Sequence, residues 1–201
     1  MKVIGITGGV GAGKTKILEY LQENTDCEII IADQVANRVK EPGQPCYDSI
    51  VELLGKDILG DDGFIDKLKM AARIFQDKSL LEKVNELVHP AVKDFILQGV
   101  EEARKENRLK VIFLEAALLI ETGYLPYLDE LWYIYVEKEE RIRRLEKGRN
   151  YSREKSEQII GCQLSEEEFR KKADVVIDNS GAFAHTMIQL EKQCRIREIW
   201  H

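Results

Sequence analysis

One segment near the start of the chain, Gly8-Gly9-Val10-Gly11-Ala12-Gly13-Lys14-Thr15, constrains the fold more than any other. It has the spacing Gly-x₄-Gly-Lys-Thr, follows the apolar run Val3-Ile4-Gly5-Ile6 and opens a segment whose Ile17, Leu18 and Leu21 share one helical face. A strand, a glycine-rich loop and a helix in this order form a phosphate cradle. Glycines let the backbone turn tightly and aim successive N–H groups inward. The helix N-terminus adds about half a positive charge at the same point. Lys14 has the reach for the β- and γ-phosphates of a nucleotide, and the Thr15 hydroxyl suits a Mg²⁺ ligand. The pattern therefore predicts ATP–Mg²⁺ held by Gly9, Val10, Gly11, Ala12, Gly13, Lys14 and Thr15. A dinucleotide fingerprint would need a third glycine at position 14, where the chain has lysine.

Short apolar segments predict five strands, Lys2–Ile6, Glu28–Ile31, Leu109–Leu114, Glu130–Val136 and Val175–Ile177. Near-continuous apolar runs without strict alternation are what parallel strands covered by helices require. Helical patterns at Lys14–Glu23, Glu137–Lys147 and Ala182–Ile199 lie between or after them, which implies a right-handed, doubly wound α/β sheet. The interval 34–108 is too long for one crossover and reads as a mainly helical insertion; Pro90 suits the first turn of a helix there. A second helical insertion, 137–172, carries Lys138, Arg141, Arg143, Arg144, Lys147, Arg149, Arg153 and Lys155. The core is then 1–33, 109–136 and 173–201.

Charge and composition narrow the partners. A formal net charge of −6 argues against nucleic acid, which needs a basic surface. Apolar runs such as Val111–Leu114 and Ala116–Ile120 are far short of the ~20 residues of a membrane span. The start of the chain lacks the length and cleavage region of a signal peptide. Cys27, Cys46, Cys162 and Cys194 are widely spaced and predict free thiols. The expected setting is the cytoplasm, with small-molecule substrates; the sequence leaves oligomeric state open.

Several further residues have two readings. Asp33 ends the second apolar run, where ligands of open α/β sheets gather, so it is a candidate base for an acceptor hydroxyl; it equally suits the cap of a helix beginning near Gln34. Glu115 is either a Walker B-like carboxylate near Mg²⁺ or a polar strand end. The cations of 137–172 either clamp phosphates or pair with the interspersed Glu139, Glu140, Glu146 and Glu154 on a solvated helix. His89 is a substrate contact or a boundary residue before Pro90. Tyr124, Tyr127, Trp132, Tyr133 and Tyr135 read chiefly as core packing.

Taken in order, the motifs resemble the dephospho-coenzyme A kinases, a family of the P-loop nucleotide kinases. Ile4-Gly5-Ile6-Thr7-Gly8-Gly9 is similar to their opening strand and loop, and Ile31-Ala32-Asp33-Gln34-Val35-Ala36 to their acidic motif. Glu41-Pro42-Gly43, Asp62-Gly63-Phe64-Ile65-Asp66, His89-Pro90-Ala91-Val92, Leu118-Leu119-Ile120-Glu121-Thr122-Gly123 and Ala173-Asp174-Val175-Val176-Ile177-Asp178-Asn179 follow in the family's order. The resemblance implies a three-layer P-loop kinase fold with a parallel five-stranded sheet, a helical acceptor-binding insertion and a helical lid. It implies phosphorylation of the ribose 3′-hydroxyl of dephospho-coenzyme A by ATP. Asp33, Lys14 and Arg144 would be catalytic, Lys67, His89 and Glu121 would join Asp33 in binding the acceptor, and Arg144 with Arg149 would serve in the lid. The chain departs from the family pattern at Glu115-Ala116-Ala117, which lacks the usual aspartate and proline, and at Lys67 and Ile159, where the family usually has arginine. The lid's second arginine is replaced by Gly148, with Arg149 one step later. Gly148 is expected to end the helix and let Arg149 swing back toward the phosphates. These changes leave two alternatives, a kinase for another nucleoside or nucleotide and a nucleotide-binding regulator with weakened catalysis.

Overall fold

A computed structural model describes residues 1–201. By its internal contacts the chain forms two compact units, one of Met1–Ile30 with Ala103–His201 and the other of Ile31–Glu102.

The first unit is built around strands β1 (Lys2–Thr7), β2 (Cys27–Ile31), β3 (Val111–Glu115), β4 (Glu130–Tyr135) and β5 (Val175–Asp178), in the spatial order β2-β3-β1-β4-β5. β1 pairs in parallel with β3 and β4, and β4 with β5. The strand runs predicted from the apolar segments fall within a residue or two of these bounds. β1 is the central strand and both faces of the sheet are covered by helices, so its side chains are buried from end to end of the element after Lys2. Ile4, Ile6, Phe113 and Trp132 are among the largest fully buried side chains, and the Phe113 and Trp132 rings lie 5.9 Å apart. Helices α1 (Lys14–Asn24), α6 (Lys138–Arg149), α7 (Arg153–Gly161), α8 (Glu166–Lys172) and α9 (Phe183–Ile196) also belong to this unit. They cover both faces of the sheet. The predicted aromatic core is present in part: Tyr124, Trp132 and Tyr133 are buried, and Tyr133 stacks on Phe169 of α8, but Tyr127 is exposed in a short turn before β4. All four cysteines are free thiols. No helix is long and apolar enough to cross a membrane.

The second unit is helical, with α2 (Ala32–Arg38), α3 (Tyr47–Leu54), α4 (Lys67–Gln76) and most of α5 (Ser79–Glu106). Asp66 caps α4 by accepting from the backbone N–H groups of Leu68 and Lys69. The turn predicted at Pro90 is absent, because α5 runs unbroken from Ser79 to Glu106 with Pro90 inside it. Proline in a helix interior costs about 3 kcal/mol relative to alanine. The stripe Leu80, Val84, Val88, Val92, Ile96 and Val100 recurs every four residues and is buried throughout. Each such side chain gains roughly 1.5–3 kcal/mol on burial, so Val88 and Val92, on either side of Pro90, already offset the proline. His89 and Pro90 lie on the exposed face, where a carbonyl left without a helical donor can bond to water.

Pro90→Ala restores the missing backbone donor at a position that is already helical. The expected result is a gain of about 1–3 kcal/mol, read as a higher Tm in thermal unfolding. A lower Tm would mean that the packing depends on the distortion proline introduces.

Candidate active site

The glycine-rich loop joins β1 to α1 as predicted. Gly13 is the N-cap of α1 and has φ 80° and ψ 26°, a left-handed conformation that a side chain would strain. It also leaves no room for one: a Cβ there would lie 2.8 Å from Asn179 Nδ2 and 3.3 Å from Arg144 Nη1. Asn179 follows β5 and donates its buried amide to the Ala12 carbonyl at 2.8 Å, while Thr186 of α9 donates to Asn179 Oδ1 at 2.9 Å. The loop is thus fixed from the end of the neighbouring strands as well as by its own turns.

The Lys14 side chain folds back over the loop. Its Nζ donates to the Gly8 carbonyl at 2.8 Å and lies 3.4 Å from Glu115 Oε1, and both side chains are only 14% exposed. Parallel pairing of Ile6 with Glu115 brings this carboxylate to the mouth of the loop. Glu115 ends β3 and lies beside Lys14, a place that both readings of it allow. Thr15 is exposed in the first turn of α1. Glu121 is exposed in the turn after β3.

The cations of α6 divide between the surface and the loop. Arg143 is exposed and pairs with Glu140, and Arg153 of α7 pairs with Glu139 and Glu157, as on a solvated surface. Arg144 turns toward the loop, donating to the Asn179 carbonyl at 2.7 Å and to Glu140 at 2.8 Å. Arg141, which motif reading did not single out, donates from Nε to the Val10 carbonyl at 3.0 Å. The expected helix break does not occur. Gly148 lies inside α6, which runs on to Arg149 and ends at Asn150 in a left-handed conformation with φ 52°. Asparagine tolerates that conformation and takes the terminating role assigned to glycine. Arg149 therefore stays on the regular helix, exposed to solvent, and does not swing back to the loop.

In the second unit, Asp33 stands in the first turn of α2, directly after β2. The helix begins at Ala32, its N-cap is Ile31, and no side chain makes a capping bond, so the capping alternative is excluded. Lys40 is a neighbour that sequence reading missed. Burial first, and then the charge of Lys67, pull its ammonium below the ordinary lysine pKa, while Cys46 and Asp33 oppose the shift. Lys67 begins α4 and is exposed, as is His89 on α5.

The site thus joins a phosphate loop with its lysine in place, a strand-end carboxylate and two arginines of α6 that face the loop. The family model described as dephospho-CoA kinase matches residues 2–185. The chain belongs to the dephospho-CoA kinase family. A dephospho-CoA kinase of Geobacter sulfurreducens is 36% identical over 200 residues, covering 100% of this chain and 98% of the relative. One of Carboxydothermus hydrogenoformans is 36% identical over 190 residues, with 94% and 91% covered. Among solved structures, a Thermus thermophilus protein superposes with a TM-score of 0.79 at 27% identity over 97% of this chain and 96% of the other. Shikimate kinase of Acinetobacter baumannii shares the fold alone, at a TM-score of 0.52 and 15% identity over 98% and 94%.

Like its relatives, a dephospho-CoA kinase acts on a nucleoside triphosphate, and such sites generally take Mg²⁺ with the phosphates. No three His, Cys, Asp or Glu side chains converge into a cage for a metal. That suits Mg²⁺, which takes one or two protein oxygens together with substrate phosphates and water. Glu115, beside Lys14 at the loop, and the Thr15 hydroxyl are donors of the right kind.

Glu140 links this site to pH. Bonds from Arg143, and then from Arg144, pull its carboxyl from 4.5 to about 2 against the opposing effect of burial. The folded pKa is lower than the unfolded one, so its stabilisation is complete above about pH 4.5 and is lost as pH falls toward 2. Thermal unfolding between those limits should show a smaller loss of Tm on acidification for Glu140→Gln than for the parent. Equal losses would mean that these ion pairs contribute nothing to acid sensitivity.

Proposed function

We propose that this chain transfers the γ-phosphoryl group of ATP to the ribose 3′-hydroxyl of dephospho-coenzyme A, giving coenzyme A and ADP. The observation that carries the reading is the lysine of the phosphate loop, held between the Gly8 carbonyl and Glu115. That loop belongs to a chain whose match to dephospho-CoA kinases extends over its whole length. In phosphoryl transfer the protein contributes chiefly positioning and charge. Gly9, Gly11 and Gly13 present backbone N–H groups to the phosphates, and Lys14 exchanges its contact with the Gly8 carbonyl for phosphate oxygens. Asp33 accepts the proton of the acceptor hydroxyl, whose oxygen forms the new bond to the γ-phosphorus. The bond from that phosphorus to the β–γ bridging oxygen breaks, and ADP leaves with the electron pair. Arg144, three residues from Arg141 and turned toward the loop, offsets the charge that develops. Mg²⁺, held through Thr15 and Glu115 with the phosphates, would supply further charge neutralisation when bound. Lys67, Lys40 and His89 bind the acceptor, with the two lysines suited to its phosphates.

Purified protein with ATP–Mg²⁺ should release ADP with dephospho-coenzyme A and much less with adenosine, other nucleosides or shikimate. Turnover of another acceptor at the higher rate would replace this assignment. Lys14→Ala should abolish most turnover without lowering Tm. Asp33→Asn should reduce kcat by ~10²–10⁴-fold with little change in ATP affinity, since general-base assistance is of that size. An unchanged kcat would remove Asp33 from the chemistry.

A further inference from the structure

Three cationic side chains crowd the phosphate loop, and they differ in what neutralises them. Lys14 has Glu115 and Arg144 has Glu140. The partners of Arg141 are both neutral: the Val10 carbonyl, 3.0 Å from Nε, and Gln163 Oε1, 2.5 Å from Nη2. Neither partner is a carboxylate, and burial outweighs the opposing effect of Tyr133 on the guanidinium. A guanidinium that is half-buried and uncompensated is costly unless an anion completes the site.

The position of Arg141 is as specific as its isolation. Its guanidinium lies flat against Gly9, where a Cβ would collide with Nη2 and Cζ. Gln163, in the turn after α7, accepts from Arg141 Nη2 and from the Val10 backbone N–H at 3.1 Å through the same oxygen. One glutamine thus locks the arginine to the apex of the loop. Gly9 and Val10 belong to the first half of the loop, and the N-cap Gly13 ends it where α1 begins. In a loop of this type the phosphates follow the N–H groups from the helix outward, so the apex faces the terminal one. Burial, which pushes the Arg141 guanidinium down from its ordinary pKa, is the same desolvation that strengthens its attraction for an anion.

We infer that Arg141 is a second arginine of phosphoryl transfer, placed by Gln163 to receive the terminal phosphate of the bound nucleoside triphosphate. In this arrangement the cation absent from the lid at Gly148 is supplied from the first turn of α6, two turns earlier, and Arg149 has no part. The inference rests on the kinase reading only in its effect on kcat; the effect on nucleotide binding needs no acceptor.

The test compares ATP and ADP. In Arg141→Met, ATP–Mg²⁺ affinity by calorimetry should fall about 10- to 100-fold, the size of one charged hydrogen-bonded contact, with ADP affinity nearly unchanged. With dephospho-coenzyme A as acceptor, kcat should fall by about 10²–10³-fold. Arg141→Lys, which keeps the charge but not the fork, should recover part of the preference for ATP. Gln163→Leu should lose it partly, and Arg153→Ala, on the solvated surface of α7, should keep it whole. Equal weakening of ATP and ADP would show that Arg141 only braces the loop, and unchanged affinities would show that it does neither; both overturn the inference. If Arg141→Met does not fold, as judged by its unfolding transition, the lysine variant decides: an ATP-to-ADP preference identical to the parent's with unchanged kcat overturns it. Should the parent fail to phosphorylate dephospho-coenzyme A, the acceptor assignment falls while the ATP and ADP affinities still decide the role of Arg141.

Discussion

The amide of Asn179, donating to the carbonyl of Ala12, is the contact on which the geometry of the nucleotide site depends. Asn179 is 4% exposed, and its polar groups are engaged on several sides. Its backbone N–H donates to Tyr135 at the end of β4, its side-chain oxygen accepts from Thr186 of α9, and its carbonyl accepts from Arg144 of α6. A single residue thus ties two strand ends, two helices and the phosphate loop. A buried donor or acceptor left unpaired costs about 1–3 kcal/mol, so each partner penalises a shift of the loop. The loop is preorganised by neighbours that a strand–loop–helix motif does not itself contain.

The same economy governs α6. Its Ile142 and Leu145 are buried against the unit, and the flanking arginines fall on either side of that apolar line. Arg141 and Arg144, three residues apart, face the loop, while Arg143, about 100° away from its neighbour, meets Glu140 at the surface. Arg149 is five residues beyond Arg144 and so about 140° round the helix, which a regular helix cannot bring back to the site. Phosphate-facing charge and solvated charge are therefore one helix read at two angles.

This explains which features were legible in the sequence. The strands were, because an apolar run such as Val111-Ile112-Phe113 suits no other buried element of that length, and the loop was, because its glycines and Lys14 are fixed by local geometry. Arg141 and Gln163 were not. Their meaning lies in contacts with Val10, which is 153 positions away from Gln163, and periodicity identifies a face without naming what covers it. Pro90 misled for a related reason: local preference marks a helix start, but the four-residue stripe from Leu80 to Val100 is buried through it. Gly148 misled because Asn150 can end a helix too. For Asp33 the sequence offered two roles, and the start of α2 at Ala32 removes the capping one.

The glycines of the loop acquire a second meaning from these contacts. Gly13 needs its left-handed φ for the chain to enter α1, yet its missing Cβ is also the space filled by Asn179 and Arg144. Gly9 has no left-handed φ to require glycine, and what excludes a side chain there is the guanidinium of Arg141. Glycine at position 9 and arginine at position 141 are thus one steric constraint seen from two places in the chain. A larger residue at 9 would displace the cation as surely as removal of the arginine, without altering any backbone angle of the loop. The spacing of a phosphate loop is accordingly set by the phosphates it binds and, in this chain, by the arginines packed against it.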